Sequence, residues 1–298
     1  MPLRLSHPYL LLTLTALFWS GNMVLGRGIR ADIPPIGLAF WRWVIALLCV
    51  LPLAWPHLAG QWPRLRADWK PVLVLGLLGV GGYNTLAYIA LQYTVATNAV
   101  LLNSFIPIAT IAISWIFLGR HLTRLQAIGV STSFLGAATI VAHGDFALLA
   151  SLTFNQGDLW MLGAVLVWAI YTVGLQWRPA GVDPMLMLAA LIVVGLLALA
   201  PLYLWEWLIA GRSIKVNTGT LASLLYVGVF PSFIGYIFYN RGVAEIGASK
   251  ASQFIHLMPV FGTLLSVIFL NEIPHHYHYA GIALILGGIW LTTRSPQP

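Results

Sequence analysis

Charged residues are scarce in this sequence: Asp, Glu, Lys and Arg together make up 8% of its 298 residues. A soluble domain carries roughly 25% of such residues. With 59% hydrophobic residues and a mean hydropathy of +0.86, the chain has more apolar surface than a single soluble core of this size can cover. The sequence therefore predicts an integral membrane protein whose main partner is the lipid bilayer.

Cysteine and the common catalytic motifs are also nearly absent. The single cysteine, Cys49, lies in an apolar run, which excludes a disulfide framework and a cysteine-based metal site. No lysine follows a glycine, so the chain lacks the phosphate-binding loop of an ATPase. Neither G-x-S-x-G nor H-E-x-x-H occurs. We expect no catalytic residues, no metal and no other cofactor.

The net charge of +7 would suggest a nucleic-acid partner in a soluble protein. Here it is better explained by membrane topology, so we expect no nucleic acid. Apolar runs separated by charges, prolines and glycines predict ten transmembrane helices of about 20 residues each, with short loops and no room for a soluble domain. The predicted spans lie near 7–27, 35–55, 71–92, 96–118, 124–142, 157–176, 184–206, 218–240, 247–270 and 277–293.

The loop cations predict the orientation of these spans. With the N-terminus inside, ten Lys and Arg residues lie on the cytoplasmic side and four on the other. This is the bias of the positive-inside rule. We therefore expect a multi-pass protein of the bacterial inner (cytoplasmic) membrane with both termini in the cytoplasm.

An internal repeat divides the chain into two halves. A shift of 149 places Trp19, Pro35 and Pro52 on Trp168, Pro184 and Pro201. A shift of 152 pairs nine further identical residues between 96 and 136, including paired Pro, Ser and Gly. These matches predict two five-helix repeats, 1–145 and 150–298. Because five is odd, the repeats are inverted, which predicts an all-α membrane fold around a central cavity, as in secondary transporters.

Helix breaks recur at equivalent places in the two halves. Each proline within a span removes a helical hydrogen bond and frees a carbonyl four residues earlier. Such breaks are tolerated in a membrane where they face protein or a wet cavity. They predict hinges, although ordinary packed kinks remain an alternative. The predicted hinge residues are Pro107, Pro259, Gly79, Gly82 and Pro231.

Aromatic and neutral polar residues at membrane depth predict the substrate site. Such a set suits a small molecule with a flat apolar part and a polar end. Ordinary aromatic packing is the alternative for each residue taken alone, and His256 could equally be a structural histidine or a substrate or proton contact. The predicted substrate-binding residues are Trp19, Asn22, Tyr83, Asn84, Tyr88, Asn103, Trp168, Tyr171, Tyr236, Tyr239 and His256.

Acidic residues are missing from the middle of every span, and Arg42 is the one basic residue well inside a span. Without a buried carboxylate, the chain lacks the usual partner of a lipophilic cation and the usual proton carrier. Arg42 lies about 10 Å from the outer start of its span at 1.5 Å per residue. It either snorkels to the outer headgroups or binds a carboxylate or a neighbouring carbonyl.

The sequence resembles the drug/metabolite transporter superfamily and its ten-helix EamA-type members. The segments that carry the resemblance are "ASQFIHLMPVFGTLLSVIFLNE" at 251–272, "GIALILGGIWL" at 281–291, "ATNAVLLNSFIPIATIAISWIFLGR" at 96–120 and "FWRWVIALL" at 40–48. The aromatic content and the "LFWSGN" segment at 17–22 are similar to bacterial exporters of aromatic amino acids. The resemblance implies a secondary transporter and a small-molecule partner.

The predicted function is export of small neutral or zwitterionic metabolites, above all aromatic and other apolar amino acids, by alternating access and facilitated diffusion. One alternative is a proton-coupled exporter of neutral drugs or other metabolites. Another is a membrane enzyme or scaffold without transport. The exact substrate, ion coupling and net direction stay open. We expect a monomer or a weak homodimer, since the glycines of the fifth and tenth spans could pack within one chain or between two.

Overall fold

The computed structural model describes residues 7–94, 96–145, 147, 155–270 and 273–294. Within these ranges the chain is helical, without a β-strand. Each of the ten predicted spans corresponds to a helix, and seven of the described helices are long and apolar enough to cross a membrane. The helices are α1 (Pro8–Gly28), α2 (Pro35–Ala67), α3 (Trp69–Tyr93), α4 (Ala96–Asn103 and Ile106–Leu118), α5 (Arg124–Val141), α6 (Gln156–Gly174), α7 (Pro184–Ile209), α8 (Thr218–Ile246), α9 (Ala248–Ser252, Gln253–His256 and Leu257–Leu270) and α10 (His276–Arg294).

Local sequence explains where these helices begin. Pro8, Pro35 and Pro184 occupy the first helical position, where the missing N–H is not needed and the fixed φ suits a helix. The helices α5, α6 and α8 begin with reciprocal side-chain caps. In α6, Asn155 accepts from the Asp158 amide while the Asp158 carboxylate accepts from the Asn155 amide. Each such cap satisfies amides that the helix itself leaves unbonded.

The helix α2 is longer than the sequence predicts. We expected its span to end near residue 55, but it continues to Ala67, 33 residues in all and about 50 Å at 1.5 Å per residue. Its three internal prolines, Pro52, Pro56 and Pro63, all lie on exposed positions. The helix can bend at such positions without losing buried hydrogen bonds. Its last turns therefore extend past a hydrocarbon core of about 30 Å.

The contact between α5 and α10 shows how the two repeats are related. A Cβ atom added to Gly129 would lie 2.6 Å from the Gly288 carbonyl oxygen, and one added to Gly136 would lie 2.6 Å from the Gly281 oxygen. The shift of 152 makes Gly281 the equivalent of Gly129, and Gly288 the equivalent of Gly136. Each contact is therefore the image of the other, as a two-fold relation requires. These glycines pack α5 against α10 within one chain.

Two pairs of helix irregularities obey the same two-fold relation. The helix α3 contains a π-helical stretch at Gly76–Gly82, and α8 contains one at Gly228–Ile234, 152 residues later. The helix α4 breaks at Ser104 and Phe105, whose amides bond carbonyls three residues back. At the equivalent place α9 tightens into the 3-10 stretch Gln253–His256. Equivalent helices thus depart from regular geometry in equivalent turns beside the centre of the fold.

Candidate functional site

Six aromatic side chains from α1, α3, α6 and α8 form one cluster at the centre of the molecule. Trp168 lies in the middle, with its ring centroid 4.8 to 5.5 Å from those of the other five. All six side chains are buried. We call this set the aromatic cluster: Trp19, Tyr83, Trp168, Tyr171, Tyr236 and Tyr239.

The aromatic cluster lies on the pseudo-two-fold axis. Trp19 and Trp168 are repeat equivalents, and their rings meet edge to face with centroids 5.0 Å apart and planes at 88°. Two equivalent residues can touch in this way only close to the axis. Because the rings contact one another, a solute can enter between them only after they separate. The structure thus brings six of the predicted substrate-binding residues together in a closed arrangement.

A network of neutral oxygen atoms surrounds Arg42, which is 1% exposed. Its Nε donates to Ser232 Oγ at 2.6 Å. Its Nη1 donates to Asn84 Oδ1 at 2.6 Å, to the Tyr88 hydroxyl and to Asn22 Oδ1 at 3.3 Å. The Tyr88 hydroxyl in turn donates to Asn22 Oδ1 at 2.6 Å. We call Arg42, Asn22, Asn84, Tyr88 and Ser232 the arginine network.

Hydrogen bonds join the arginine network to the aromatic cluster. Asn84 Nδ2 donates to the Tyr236 hydroxyl at 3.2 Å. That hydroxyl donates to the carbonyl of Gly79 in the π-helical stretch of α3. The π-helical stretch of α8 supplies Ser232, whose hydroxyl donates to the Val227 carbonyl. Both irregular stretches therefore hold groups that connect with the arginine.

The snorkelling interpretation of Arg42 is wrong, because the side chain points into the bundle and not to the headgroups. Sequence reasoning placed Asn22, Asn84 and Tyr88 in the site, left Arg42 open between snorkelling and binding a carboxylate or carbonyl, and missed Ser232. Among the described residues, the ion pairs are Lys215 with Asp32, Arg241 with Glu245, and His57 with Asp183 if the histidine is protonated. Arg42 thus has no acidic partner among the residues that the structure describes.

Asn103 and His256 lie on the α4 and α9 side of the site. Asn103 Oδ1 accepts from the Tyr83 hydroxyl at 2.8 Å, so Asn103 borders the aromatic cluster. His256 Nε2 is 2.9 Å from the Ser104 carbonyl oxygen, and its Nδ1 is 2.7 Å from Ser133 Oγ. Because a carbonyl only accepts, Nε2 carries a hydrogen and Ser133 donates to Nδ1 when the ring is neutral. His256 thus ties the break in α4 to α5, and both of its nitrogens are occupied.

The predicted hinge residues lie at the helix irregularities. Gly79, Gly82 and Pro231 belong to the two π-helical stretches. Pro107 is the second residue of the second part of α4, and Pro259 follows the 3-10 stretch of α9. Gly79 also permits close packing, since a Cβ atom there would lie 2.4 Å from the Tyr171 ring. The hinge role of these residues stays a prediction.

The described acidic side chains lie near helix ends or in the loops between helices, and none of them is hydrogen bonded to Arg42. Glu206 accepts from the Gly37 amide at 2.7 Å at the beginning of α2, where a carboxylate suits the helix dipole. Asp158 accepts from the Thr94 hydroxyl at 2.7 Å. Within the described residues, no group of three His, Cys, Asp or Glu side chains could hold a metal ion. Once the rings separate, this arrangement would offer aromatic faces to a flat apolar group and the Arg42 guanidinium to a polar or anionic group.

Comparison with known protein families gives two matches to one family. The model of the EamA-like transporter family matches residues 7–142 and again residues 155–294. The chain belongs to the EamA-like transporter family. This confirms the family predicted from the sequence, and with it a multi-pass membrane transporter built from two repeats.

Individual relatives of this EamA-like protein agree with the family. The uncharacterized transporter YyaM of Bacillus subtilis is 26% identical over 94% of this chain and 91% of its own length. A probable terminal-alkyne amino-acid exporter of Streptantibioticus cattleyicolor is 25% identical over 98% of this chain and 95% of its own. A crystal structure at 21% identity superposes with a TM-score of 0.76 over 94% of each chain. That last likeness concerns the fold alone.

Proposed function

We propose that this EamA-like transporter exports small zwitterionic metabolites, above all aromatic amino acids, across the bacterial inner membrane. The observation that carries the proposal is the aromatic cluster, six rings on the pseudo-two-fold axis joined by hydrogen bonds to neutral amides and hydroxyls. Tryptophan and tyrosine rings stack favourably on a flat aromatic solute. Asn22, Asn84 and Asn103 offer amide groups to its polar end.

One relative supports the chemical class of the solute. This relative, 25% identical over nearly the whole chain, carries the name of a probable terminal-alkyne amino-acid exporter. An alkyne side chain is apolar and unsaturated, like an aromatic ring, and it is attached to the same amino-acid head group. A pocket of rings beside polar amides suits both kinds of solute.

Alternating access is the mechanism that the symmetry favours. The π-helical stretches of α3 and α8 and the tight turns of α4 and α9 occur as equivalent pairs around the aromatic cluster. Rocking of one repeat against the other about these turns would open the cluster first to one side and then to the other. We expect facilitated diffusion, with both termini in the cytoplasm and a monomer or weak homodimer as the working unit.

Uptake of labelled phenylalanine into proteoliposomes, without an ion gradient, tests this proposal. We expect saturable uptake that unlabelled tryptophan inhibits. Trp168→Ala removes the central ring of the cluster and should lower the uptake rate at least ~10-fold, since burying such a ring contributes several kcal/mol. Trp115→Ala is the matched control, because Trp115 is 55% exposed, and it should retain wild-type uptake.

The alternatives predict different results in the same assay. A proton-coupled exporter of neutral drugs would show little phenylalanine uptake until a pH difference is imposed, and drugs would compete. A membrane enzyme or scaffold would give no flux under either condition. Wild-type uptake by the folded Trp168→Ala variant would refute the site assignment.

A further inference from the structure

The charge of Arg42 is not neutralised within the described part of the chain. The residue is 1% exposed, and all of its hydrogen-bond acceptors are neutral oxygen atoms of Asn22, Asn84, Tyr88 and Ser232. A cation buried away from water is costly unless an anion faces it. Neutral acceptors satisfy N–H groups but leave the net charge in place. An anion from outside the protein would complete this site.

The hydrogen-bond geometry shows where such an anion would bind. A guanidinium has five N–H donors in a fixed fork. In Arg42 the Nε donor is taken by Ser232, and the Nη1 donors face three acceptors. Among the described residues, Nη2 has no hydrogen-bond acceptor. One nitrogen of the fork, with two N–H groups, is therefore available to a ligand.

The surroundings of Arg42 identify the kind of anion. Asn84 connects the guanidinium to Tyr236, and the Tyr236 ring lies 5.5 Å from that of Trp168, between centroids. A solute whose anionic group meets Arg42 would thus have its apolar part at the aromatic cluster. A carboxylate fits the planar fork, and a single arginine suits one negative charge better than a phosphate with two.

We propose that Arg42 binds the carboxylate group of the transported solute through Nη2, which makes the substrate class aromatic and other apolar carboxylates. This inference rests on the proposed function for the location of the substrate site. It does not depend on the presence of an amino group in the solute. Arg42 thereby distinguishes acids from the corresponding amides and amines.

Acid and amide pairs test the inference by direct binding. The probes are phenylalanine with phenylalaninamide and 3-phenylpropionate with 3-phenylpropionamide, titrated calorimetrically into the purified protein. We expect at least one acid to bind at least ~10-fold more tightly than its amide, because a buried, hydrogen-bonded charge pair is worth more than one tenfold step in affinity. Equal affinities for acid and amide in both pairs, or no binding of any probe, would overturn the inference.

Removal of Arg42 alone could unfold the protein, so the decisive variant is Asn22→Asp. Its carboxylate keeps the hydrogen bonds from Arg42 and Tyr88 and supplies the missing negative charge within the chain. We expect the preference for the acid to fall to about 1 or to reverse. The control Asn217→Asp makes the same change at the cap of α8, where Asp caps equally well, and should keep the wild-type preference. An unchanged preference in Asn22→Asp would contradict the inference.

The two proposals fail in different ways. If 3-phenylpropionate is preferred over its amide while phenylalanine is neither bound nor transported, Arg42 binds a carboxylate but the amino-acid assignment is wrong. If phenylalanine and its amide are transported equally well, the aromatic site stands and the role of Arg42 is wrong.

Discussion

The two repeats build the same hydrogen bond on opposite sides of the pseudo-two-fold axis, but only one of them adds a charge. In the first repeat the Tyr88 hydroxyl donates to Asn22 Oδ1 at 2.6 Å, and in the second the Tyr171 hydroxyl donates to Asn240 Oδ1 at 2.8 Å. The repeat shifts make Asn22 equivalent to Tyr171 and Tyr88 equivalent to Asn240. Tyrosine and asparagine thus exchange positions between the repeats, while both repeats keep the hydrogen bond from the tyrosine hydroxyl to the asparagine oxygen.

The charge breaks this symmetry. The shift of 149 places Arg42 of α2 on Leu191 of α7, which is completely buried. The shift of 152 places its partner Ser232 on Val80. Arg42 and its acceptor Ser232, which meet on one side of the axis, thus correspond to two aliphatic side chains, Leu191 and Val80, on the other. An inverted-repeat frame allows two conformations related by the pseudo-two-fold axis, whereas on our proposal the unpaired charge of Arg42 specifies a single binding position for the solute.

Removing the charge that distinguishes the two repeats should have the largest effect on transport. Arg42→Leu places the side chain of the second repeat into the first, and in variant protein shown to be folded we expect phenylalanine uptake to fall at least ~30-fold, because the buried charge pair with the substrate is lost. Leu191→Met is the matched control at the equivalent position. It conserves volume in an apolar site, so uptake should stay within about two-fold. Similar losses of uptake in both variants would mean that packing at these positions, and not the charge of Arg42, determines transport.

Removing the tyrosine hydroxyl from each of the two equivalent hydrogen bonds should show a smaller functional difference between the repeats. Tyr88→Phe deletes a hydrogen bond from the guanidinium, and hydrogen bonds to charged groups contribute about 1.5–3 kcal/mol. We expect the KM for phenylalanine to rise ~10-fold. Tyr171→Phe deletes a bond to a neutral amide, worth about 1 kcal/mol, and should change KM by less than ~5-fold. Equal effects would remove the functional difference between the repeats.

The smallest effect is expected at His256, which lies between α4, α5 and α9. Both ring nitrogens are already occupied by Ser104 and Ser133, so His256→Gln should lower thermal stability and leave substrate preference unchanged. An imposed pH difference should not drive accumulation of phenylalanine in wild type or variant. Accumulation that depends on His256 would instead identify a proton-coupled carrier.

Sequence patterns predicted the fold well because structurally important residues recur at equivalent positions in the two repeats. Pro35 and Pro184 both begin helices, Gly129 and Gly288 pack α5 against α10, and Trp19 meets Trp168. The end of α2 was misjudged, and to a smaller extent that of α8, which continues past the predicted residue 240 to Ile246. Pro52, Pro56 and Pro63 suggested the end of α2 in the sequence. On the exposed side of a helix, however, a proline can bend the helix without ending it.

Arg42 shows why the candidate site could be only partly predicted. Its depth in the span followed from the sequence, but the direction of its side chain depends on which face of α2 packs against α1, α3 and α8. Ser232 gave no signal either, because a serine in a membrane helix suits close packing as well as a hydrogen bond. The partners of a buried arginine come from four helices, and their meeting is a property of the packed bundle.

Exchange of solutes across the membrane most directly tests the central claim, an alternating-access carrier that binds its substrate carboxylate at Arg42. Proteoliposomes loaded with unlabelled phenylalanine or with phenylalaninamide would be diluted into labelled phenylalanine without an ion gradient. The account predicts that internal phenylalanine accelerates entry of the label, because the loaded carrier returns with a solute, and that internal phenylalaninamide does not. Equal acceleration by both compounds would contradict carboxylate binding at Arg42, and the absence of acceleration by phenylalanine would contradict an alternating-access carrier for this amino acid.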